Sequence, residues 1–158
     1  MKSVFFAVTA VLLVASFVPV AWAASPPKAT GGIQFYRMED DSTQVLGWVE
    51  FEAHQLADDG TAKGQARYHD ELGNQLTADI TCAAIWDDYA TFTGEIVKTN
   101  VDDWAGKWLT IWVHDGGSPG TNGDEFGADI YDADPGCAPG TMPGEWSPVI
   151  GGNLVVHP

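Results

Sequence analysis

Residues 44–54, QVLGWVEFEAH, decide the fold class because apolar and polar side chains alternate along them. Side chains of an extended strand point to opposite faces at every second residue. One face would therefore carry Val45, Val49, Phe51 and Ala53, and the other would carry Trp48, Glu50, Glu52 and His54. An apolar face opposite a polar one is typical of an antiparallel sheet that meets solvent on one side.

Further short runs rich in β-branched and aromatic residues occur on both sides of this stretch, with turn residues between them. The predicted strands are residues 33–37, 44–54, 61–69, 75–85, 91–98, 107–114, 125–131 and 153–157. Asp58-Asp59-Gly60 and Leu72-Gly73-Asn74 supply the residues that tight hairpins need. No apolar stripe with helical spacing interrupts the pattern.

This order of elements predicts an all-β fold, namely a single antiparallel β-barrel of about eight strands in meander order. A meander with short hairpins closes readily into a barrel, which hides the edges of its sheet. A β-sandwich is the alternative architecture. The length of 158 residues suits one domain, and an apolar content of 45% predicts a packed core.

The charge balance excludes two classes of partner. Seven Lys and Arg residues against 22 Asp and Glu residues give a net charge of −15 at pH 7. Nucleic acids and anionic membrane surfaces would both be repelled by so acidic a protein. The expected partner is therefore an extracellular ligand or a surface component.

The first 23 residues have the pattern of a signal peptide. Lys2 precedes an apolar run at residues 4–18, Pro19 ends the run, and Ala21-Trp22-Ala23 matches the small-x-small pattern of a cleavage site. We expect cleavage near Ala23, a linker at residues 24–32 and a β domain at residues 33–158. The protein is then secreted, and no later segment is apolar enough to span a membrane.

Cys82 and Cys137 are the two cysteines of the chain, so an exported protein can form one intrachain disulfide. Loop-closure entropy predicts a stabilisation of about 4 kcal/mol from that bond. We expect Cys82 to share a side of its strand with Ile80 and Ala84. Cys137 falls in an irregular region at residues 132–148, which the disulfide would pin to the strand that carries Cys82.

A Gly-rich acidic loop follows the sixth predicted strand and could bind a metal. Asp115, Asn122, Asp124 and Glu125 offer the hard oxygen ligands that Ca²⁺ prefers. The spacing does not match an EF-hand loop. A solvated acidic loop without metal is the alternative interpretation of the same residues.

The polar face of residues 44–54 is a second candidate site. Trp48 could stack on a sugar, and Glu50 and Glu52 would lie about 6.8 Å apart along an extended strand. That separation falls in the range that inverting glycosidases use, which suggests a glycan-directed hydrolase. His54 shares the same face. A solvated strand face without catalysis is the alternative.

Several short blocks occur along residues 33–158 in a characteristic order. They are Phe51-x-Ala53, Asp59-Gly60-Thr61-Ala62-Lys63-Gly64-Gln65, Tyr68-x-Asp70, Ile80-Thr81-Cys82, Ala90-Thr91-Phe92-Thr93-Gly94, Val113-x-Asp115-Gly116-Gly117, Asp124-x-Phe126 and Gly152-Asn153-Leu154-Val155-Val156-His157. In this order the chain resembles the post-COAP domain family, small modules of exported bacterial proteins. The resemblance implies export and a β-rich fold, and it brings no catalytic residues with it.

These observations lead to three functional hypotheses. The first is a secreted, non-catalytic extracellular or cell-surface module of unknown ligand that calcium stabilises. The second is a carrier that binds a small ligand inside the barrel, which requires a cavity lined by Trp and Phe. The third is the hydrolase that uses Glu50 and Glu52.

Overall fold

A computed structural model describes residues 25–38, 43–117, 123–138, 140 and 142–158. The predicted signal peptide lies outside the described residues. Eight strands follow one another, with a short 3₁₀ turn at Asp102–Trp104 between the fifth and the sixth. The strands are β1 (Lys28–Met38), β2 (Gln44–Gln55), β3 (Thr61–Asp70), β4 (Gln75–Trp86), β5 (Tyr89–Thr99), β6 (Trp108–His114), β7 (Glu125–Tyr131) and β8 (Ser147–His157).

Each strand pairs antiparallel with the next, and β8 pairs with β1, so the sheet closes into an eight-stranded meander barrel. The barrel prediction is therefore confirmed over the sandwich alternative. In β2 the observed burial follows the predicted alternation, because Val45, Val49, Phe51 and Ala53 are buried and face the interior. No helix in the described part of the chain is long and apolar enough to cross a bilayer.

Two strands begin five or six residues before the predicted start, and the other strand ends lie within two residues of the prediction. β1 begins at Lys28, so part of the stretch predicted as a linker at residues 24–32 is strand. β8 begins at Ser147 rather than at residue 153. Gly152 has a φ of +96°, and the register between β1 and β8 shifts near it. The strand is therefore irregular at its glycines. Glycine is needed at position 152 because a side chain there would collide with the carbonyl oxygen of Gly32.

A β-bulge in β4 corrects the prediction that Ile80, Cys82 and Ala84 share one side. The register between β4 and β5 shifts between Ile80 and Cys82. Ile80 and Ala83 both belong to the buried core, so the inward face changes phase at the bulge. Cys82 is thereby turned away from the core, and it bonds to Cys137 across a Cα–Cα distance of 5.9 Å.

The disulfide pins a segment that runs along the outside of the barrel, which we call the strap (residues 132–138 and 142–146). The strap contains no strand, as its proline and glycine content predicted. The Thr93 hydroxyl donates a hydrogen bond of 2.8 Å to the Gly136 carbonyl of the strap. Thr93, Thr110 and Trp112 are at most 5% exposed although they lie on the outer face of β5 and β6. The strap therefore gives this part of the sheet a second covered face.

One end of the barrel interior is packed around two aromatic rings. The rings of Phe51 and Phe92 lie in its middle with centroids 5.0 Å apart. Small inward side chains surround these rings, which leaves room for them: Ala29, Ala53, Ala66, Ala83 and Ala90. Large residues facing small ones fill such a barrel without voids.

We predict that the disulfide carries a large share of the stability. Replacing Cys82 and Cys137 together by Ser is expected to lower the free energy of unfolding by about 4 kcal/mol, because the unfolded chain regains the entropy of a 55-residue loop. Urea unfolding followed by tryptophan fluorescence measures the difference. Wild-type protein unfolded with a reductant should match the double variant, and an unchanged urea midpoint would contradict the prediction.

Candidate functional site

The barrel is closed only narrowly between β7 and β8. These strands share two residue pairs, Glu125 with Pro148 and Phe126 with Ser147, whereas the other neighbouring strands share seven or more. Residues 127–131 of β7 therefore extend beyond the start of β8. Residues 36–38 of β1 also extend beyond its pairing with β8, which ends at Phe35. We call the gap between residues 127–131 of β7 and residues 36–38 of β1 the side notch.

A cavity of about 820 Å³ lies behind the side notch, in the half of the barrel away from Phe51 and Phe92. Its deep wall consists of inward apolar side chains from five strands: Phe35, Val49, Leu76, Leu109, Ile111 and Phe126. Residues 143–146 of the strap form part of its outer wall. A side chain at Gly127 would lie 2.7 Å from Pro143, so the strap packs directly on β7 beside the notch.

Aromatic rings line this cavity in a continuous row. Phe35 lies 4.3 Å from Phe126 and 6.3 Å from Tyr68, measured between ring centroids. Trp104 of the 3₁₀ turn contacts the Tyr68 ring edge-on at 6.0 Å. Edge-on and tilted pairs of this kind are favourable and hold ring positions. The 3₁₀ turn thus adds an indole to the cavity wall from outside the sheet.

Three polar side chains form a network at the open end of the cavity. Arg37 Nε donates a hydrogen bond of 2.9 Å to the Tyr68 hydroxyl, and Arg37 Nη2 lies 2.9 Å from Asp70 Oδ2. The Tyr68 hydroxyl in turn donates to Asp70 Oδ2 at 2.8 Å. Because one cation and one anion are paired here, the network adds no net charge to the cavity.

Asp70 also shapes the turn between β3 and β4. Its Oδ1 accepts hydrogen bonds from the main-chain N–H groups of Leu72 and Asn74, and its Oδ2 accepts one from the Asn74 side chain. Burial alone would raise the pKa of Asp70, but the hydrogen bonds from Arg37, Tyr68 and Asn74 outweigh it and lower the pKa to about 2. Asp70 therefore stays ionised in any ordinary medium.

The hydroxyl of Tyr68 has the opposite shift. Burial raises the pKa of Tyr68 far above 10.0, and its hydrogen bond to the Asp70 carboxylate raises it further. Tyr68 is thus a neutral phenol whose single proton is already donated to Asp70. The inner lining is thus apolar beside a paired polar network, whereas the carboxylates Asp129 and Glu145 also line the cavity.

The residues that the sequence proposed as a ligand face lie on the outside of β2. The Trp48 ring stacks on the ring of His69 in β3, with centroids 4.9 Å apart and planes 6° from parallel. His54 Nε2 lies 2.7 Å from Glu52 Oε1, and Glu50 is exposed beside them. One face of the indole is therefore covered. The hydrolase hypothesis for Glu50 and Glu52 stays a prediction.

Of the predicted calcium ligands, Asp115 and Asp124 lie close together and Glu125 points elsewhere. Asp115 Oδ1 accepts from Gly117 N–H, and its Oδ2 accepts from Val156 N–H at 3.0 Å. Glu125 Oε2 lies 3.3 Å from His114 Nδ1. Asn122 lies outside the described residues. Within the described ranges, no group of three or more His, Cys, Asp or Glu side chains has the arrangement of a metal site.

Asp124 is the least solvated carboxylate of this loop, with 1% exposure. Its Oδ1 accepts a hydrogen bond of 3.0 Å from Gly116 N–H, and its main-chain carbonyl accepts one from Val149 N–H. Among the described residues, nothing donates a hydrogen bond to its Oδ2. Burial raises the pKa of Asp124, the Gly116 N–H lowers it, and the nearby charge of Asp115 raises it further.

The sequence interpretation missed the polar network of the cavity. Arg37 follows Ile33 and Phe35 at every second position of β1, and Tyr68 and Asp70 follow Ala66 in the same way in β3. Polar residues in phase with an apolar inward face were the available signal. They mark strand ends where the barrel interior opens to solvent.

Comparisons with protein-family models, with curated protein sequences and with solved structures found no match for this chain. The resemblance to the post-COAP domain family stays a prediction.

We predict that Asp70→Asn destabilises the protein in a pH-dependent way. At pH 7 the substitution is expected to lower the free energy of unfolding by about 2–4 kcal/mol, because Arg37 loses its buried partner. The pKa of Asp70 is lowered in the folded state, so its stabilisation is present above about pH 4 and disappears as the pH falls towards 2. Urea unfolding of both proteins between pH 7 and pH 2 measures this.

The difference in the free energy of unfolding between the wild type and Asp70→Asn should therefore become smaller as the pH falls from about 4 to 2. Asp103→Asn is a matched control, because Asp103 is exposed in the 3₁₀ turn and should leave stability nearly unchanged. A difference that stays constant from pH 7 to pH 2 would contradict the assigned role of Asp70.

Proposed function

We propose that this protein is an exported, non-catalytic binding protein that holds one small, neutral, apolar molecule inside its barrel. This is the carrier hypothesis of the three that the sequence suggested. The ligand would enter through the side notch and lie against the aromatic row of Phe35, Phe126, Tyr68 and Trp104. Export rests on the leader pattern at residues 1–23.

The single observation that carries the proposal is a cavity at the side notch that reaches the buried core of the barrel. Behind the side notch lies a cavity of about 820 Å³, and its inner wall is formed by Phe35, Leu109 and Phe126, which belong to the same buried core as Phe51 and Phe92. Pockets for small molecules in proteins span about 300–1,000 Å³ and are mostly apolar with a few polar groups. The volume of this cavity and its lining of apolar and polar residues fit a small molecule.

The Arg37–Tyr68–Asp70 network favours an uncharged ligand, and the Asp129 and Glu145 carboxylates, which also line the cavity, disfavour an anion. Arg37 is already paired with Asp70 and bonded to Tyr68, so an organic anion would have to compete with that carboxylate. An organic cation would compete with Arg37 for Asp70, which is held by hydrogen bonds from Leu72 and Asn74 as well. Charged groups therefore lose hydration in the cavity without a free partner among these residues.

The other two hypotheses have less support from the geometry. Glu50 and Glu52 lie on an exposed strand face with no described cavity beside them, and Glu52 is paired with His54. A surface module that displays Trp48 would use an indole already stacked on His69. A role as an extracellular module remains compatible with the carrier proposal, because a barrel that holds a ligand can also belong to a larger surface assembly.

We predict that the protein binds the neutral fluorescent probe N-phenyl-1-naphthylamine, with an increase in probe emission, and that Leu109→Trp weakens this binding at least about tenfold. Leu109 is buried in the cavity wall, so an indole there would occupy ligand space. Fluorescence titration of the probe gives both dissociation constants.

Leu72→Trp is the matched control, because Leu72 is 59% exposed in the turn between β3 and β4 and does not line the cavity. It should leave the dissociation constant within twofold of wild type, at about the same melting temperature. Absence of probe binding by the wild type would sink the proposal, and so would an equal loss of affinity in both variants.

A further inference from the structure

The described residues at the two ends of the loop between β6 and β7 contact β8, on the side that β7 is too short to cover. Asp115 caps the N–H of Val156, and the Asp124 carbonyl accepts the N–H of Val149. A side chain at Gly123 would lie 3.6 Å from Gly116, so the two ends of the loop meet there. We call residues 115, 116, 123 and 124 the loop neck.

The loop neck contains a carboxylate with an unsatisfied oxygen. Asp124 is 1% exposed, its Oδ1 is bonded to Gly116 N–H, and its Oδ2 has no hydrogen-bond donor among the described residues. Leaving a charged oxygen buried without a partner is costly, and native proteins rarely do so without an ion, a water or a functional reason. The unpaired Oδ2 of Asp124 therefore suggests that a ligand binds beside it.

The surroundings of that oxygen specify the charge of the ligand. Two titratable side chains lie close enough to act on Asp124. They are the Asp115 carboxylate and the His114 ring. The His114 ring is paired with Glu125 and stacked on Tyr89. Each Asp115 oxygen accepts one main-chain N–H, so each keeps a lone pair. A small cation would satisfy Asp124 and reduce the repulsion between the two carboxylates.

We propose that the loop neck binds a calcium ion, with Asp124 Oδ2 as the anchoring ligand and the Asp115 carboxylate as the second. Oxygen-only donors in an irregular loop suit Ca²⁺, which accepts variable geometry and completes its coordination with main-chain carbonyls and water. This site is separate from the cavity and does not depend on the ligand proposed there. Glu125, which the sequence grouped with these ligands, is left out because it faces His114.

Calcium at the loop neck would strengthen the barrel where β7 and β8 pair only briefly. Asp115 and Asp124 hold opposite ends of the loop against β8, through the N–H groups of Val156 and Val149. A cation shared by the two carboxylates would tie these contacts together where β7 and β8 share only two residue pairs. The ion would therefore raise the resistance of the folded state to unfolding.

The test is thermal unfolding of the full mature protein, first in EDTA and then in 5 mM CaCl₂, with calorimetric titration of Ca²⁺ alone. We expect the melting temperature of the wild type to rise by about 5 °C or more in calcium. Asp124→Asn should lose this increase. In EDTA, Asp124→Asn should be at least as stable as the wild type, because the substitution removes an unpartnered buried charge.

Asp132→Asn is the matched control, since the Asp132 side chain is 89% exposed and pairs only with Lys107 among the groups described. It makes the same change in net charge and should keep the full calcium response. Asp115→Asn is a second variant and should reduce the response. The proposal is overturned if the wild type gives neither heat nor a shift at millimolar calcium, if Asp124→Asn keeps the shift, or if Asp124→Asn is less stable than the wild type in EDTA.

Discussion

The pairing between β7 and β8 is the constraint on which the rest of this structure depends. Two residue pairs close a barrel whose other strand pairs are held by long ladders. An open sheet edge would expose unpaired main-chain groups, so the chain must cover β8 by other means. The loop neck accepts the N–H groups of Val149 and Val156 of β8, and the strap packs on β7 beside the notch. Both candidate sites are consequences of that short pairing.

The cavity and the loop neck differ in the way their polar groups are satisfied. At the open end of the cavity, Arg37, Tyr68 and Asp70 form a closed network in which Asp70 also fixes the turn after β3. That network is structural, so under the proposed function the apolar wall would select the ligand. In the loop neck, Asp124 is buried with one oxygen unpaired. A closed network favours a neutral guest, whereas an orphan carboxylate favours a cation.

Much of the fold could be predicted from the sequence because alternation and turn chemistry are local. The β2 pattern gave the correct inward face, and Gly60 and Gly73 have the positive φ that their hairpins required. The bulge at Thr81 and the early start of β1 depend on partner strands far away in sequence, so local patterns could not reveal them. The cavity was missed for the same reason, since it arises from the relative lengths of β7, β8 and β1. The sequence placed Asp115, Asp124 and Glu125 in one loop, but it could not show that Glu125 points towards His114, and the calcium site stays a prediction.

The claim that the cavity at the side notch is a binding site is tested most directly by a crystal structure of residues 24–158 grown with N-phenyl-1-naphthylamine. The account predicts density for the probe behind the side notch, in contact with Phe35, Tyr68, Trp104 and Phe126, with the Arg37–Asp70 pair intact. Density for protein side chains that fill this volume, or for the probe only on the outer surface, would contradict it.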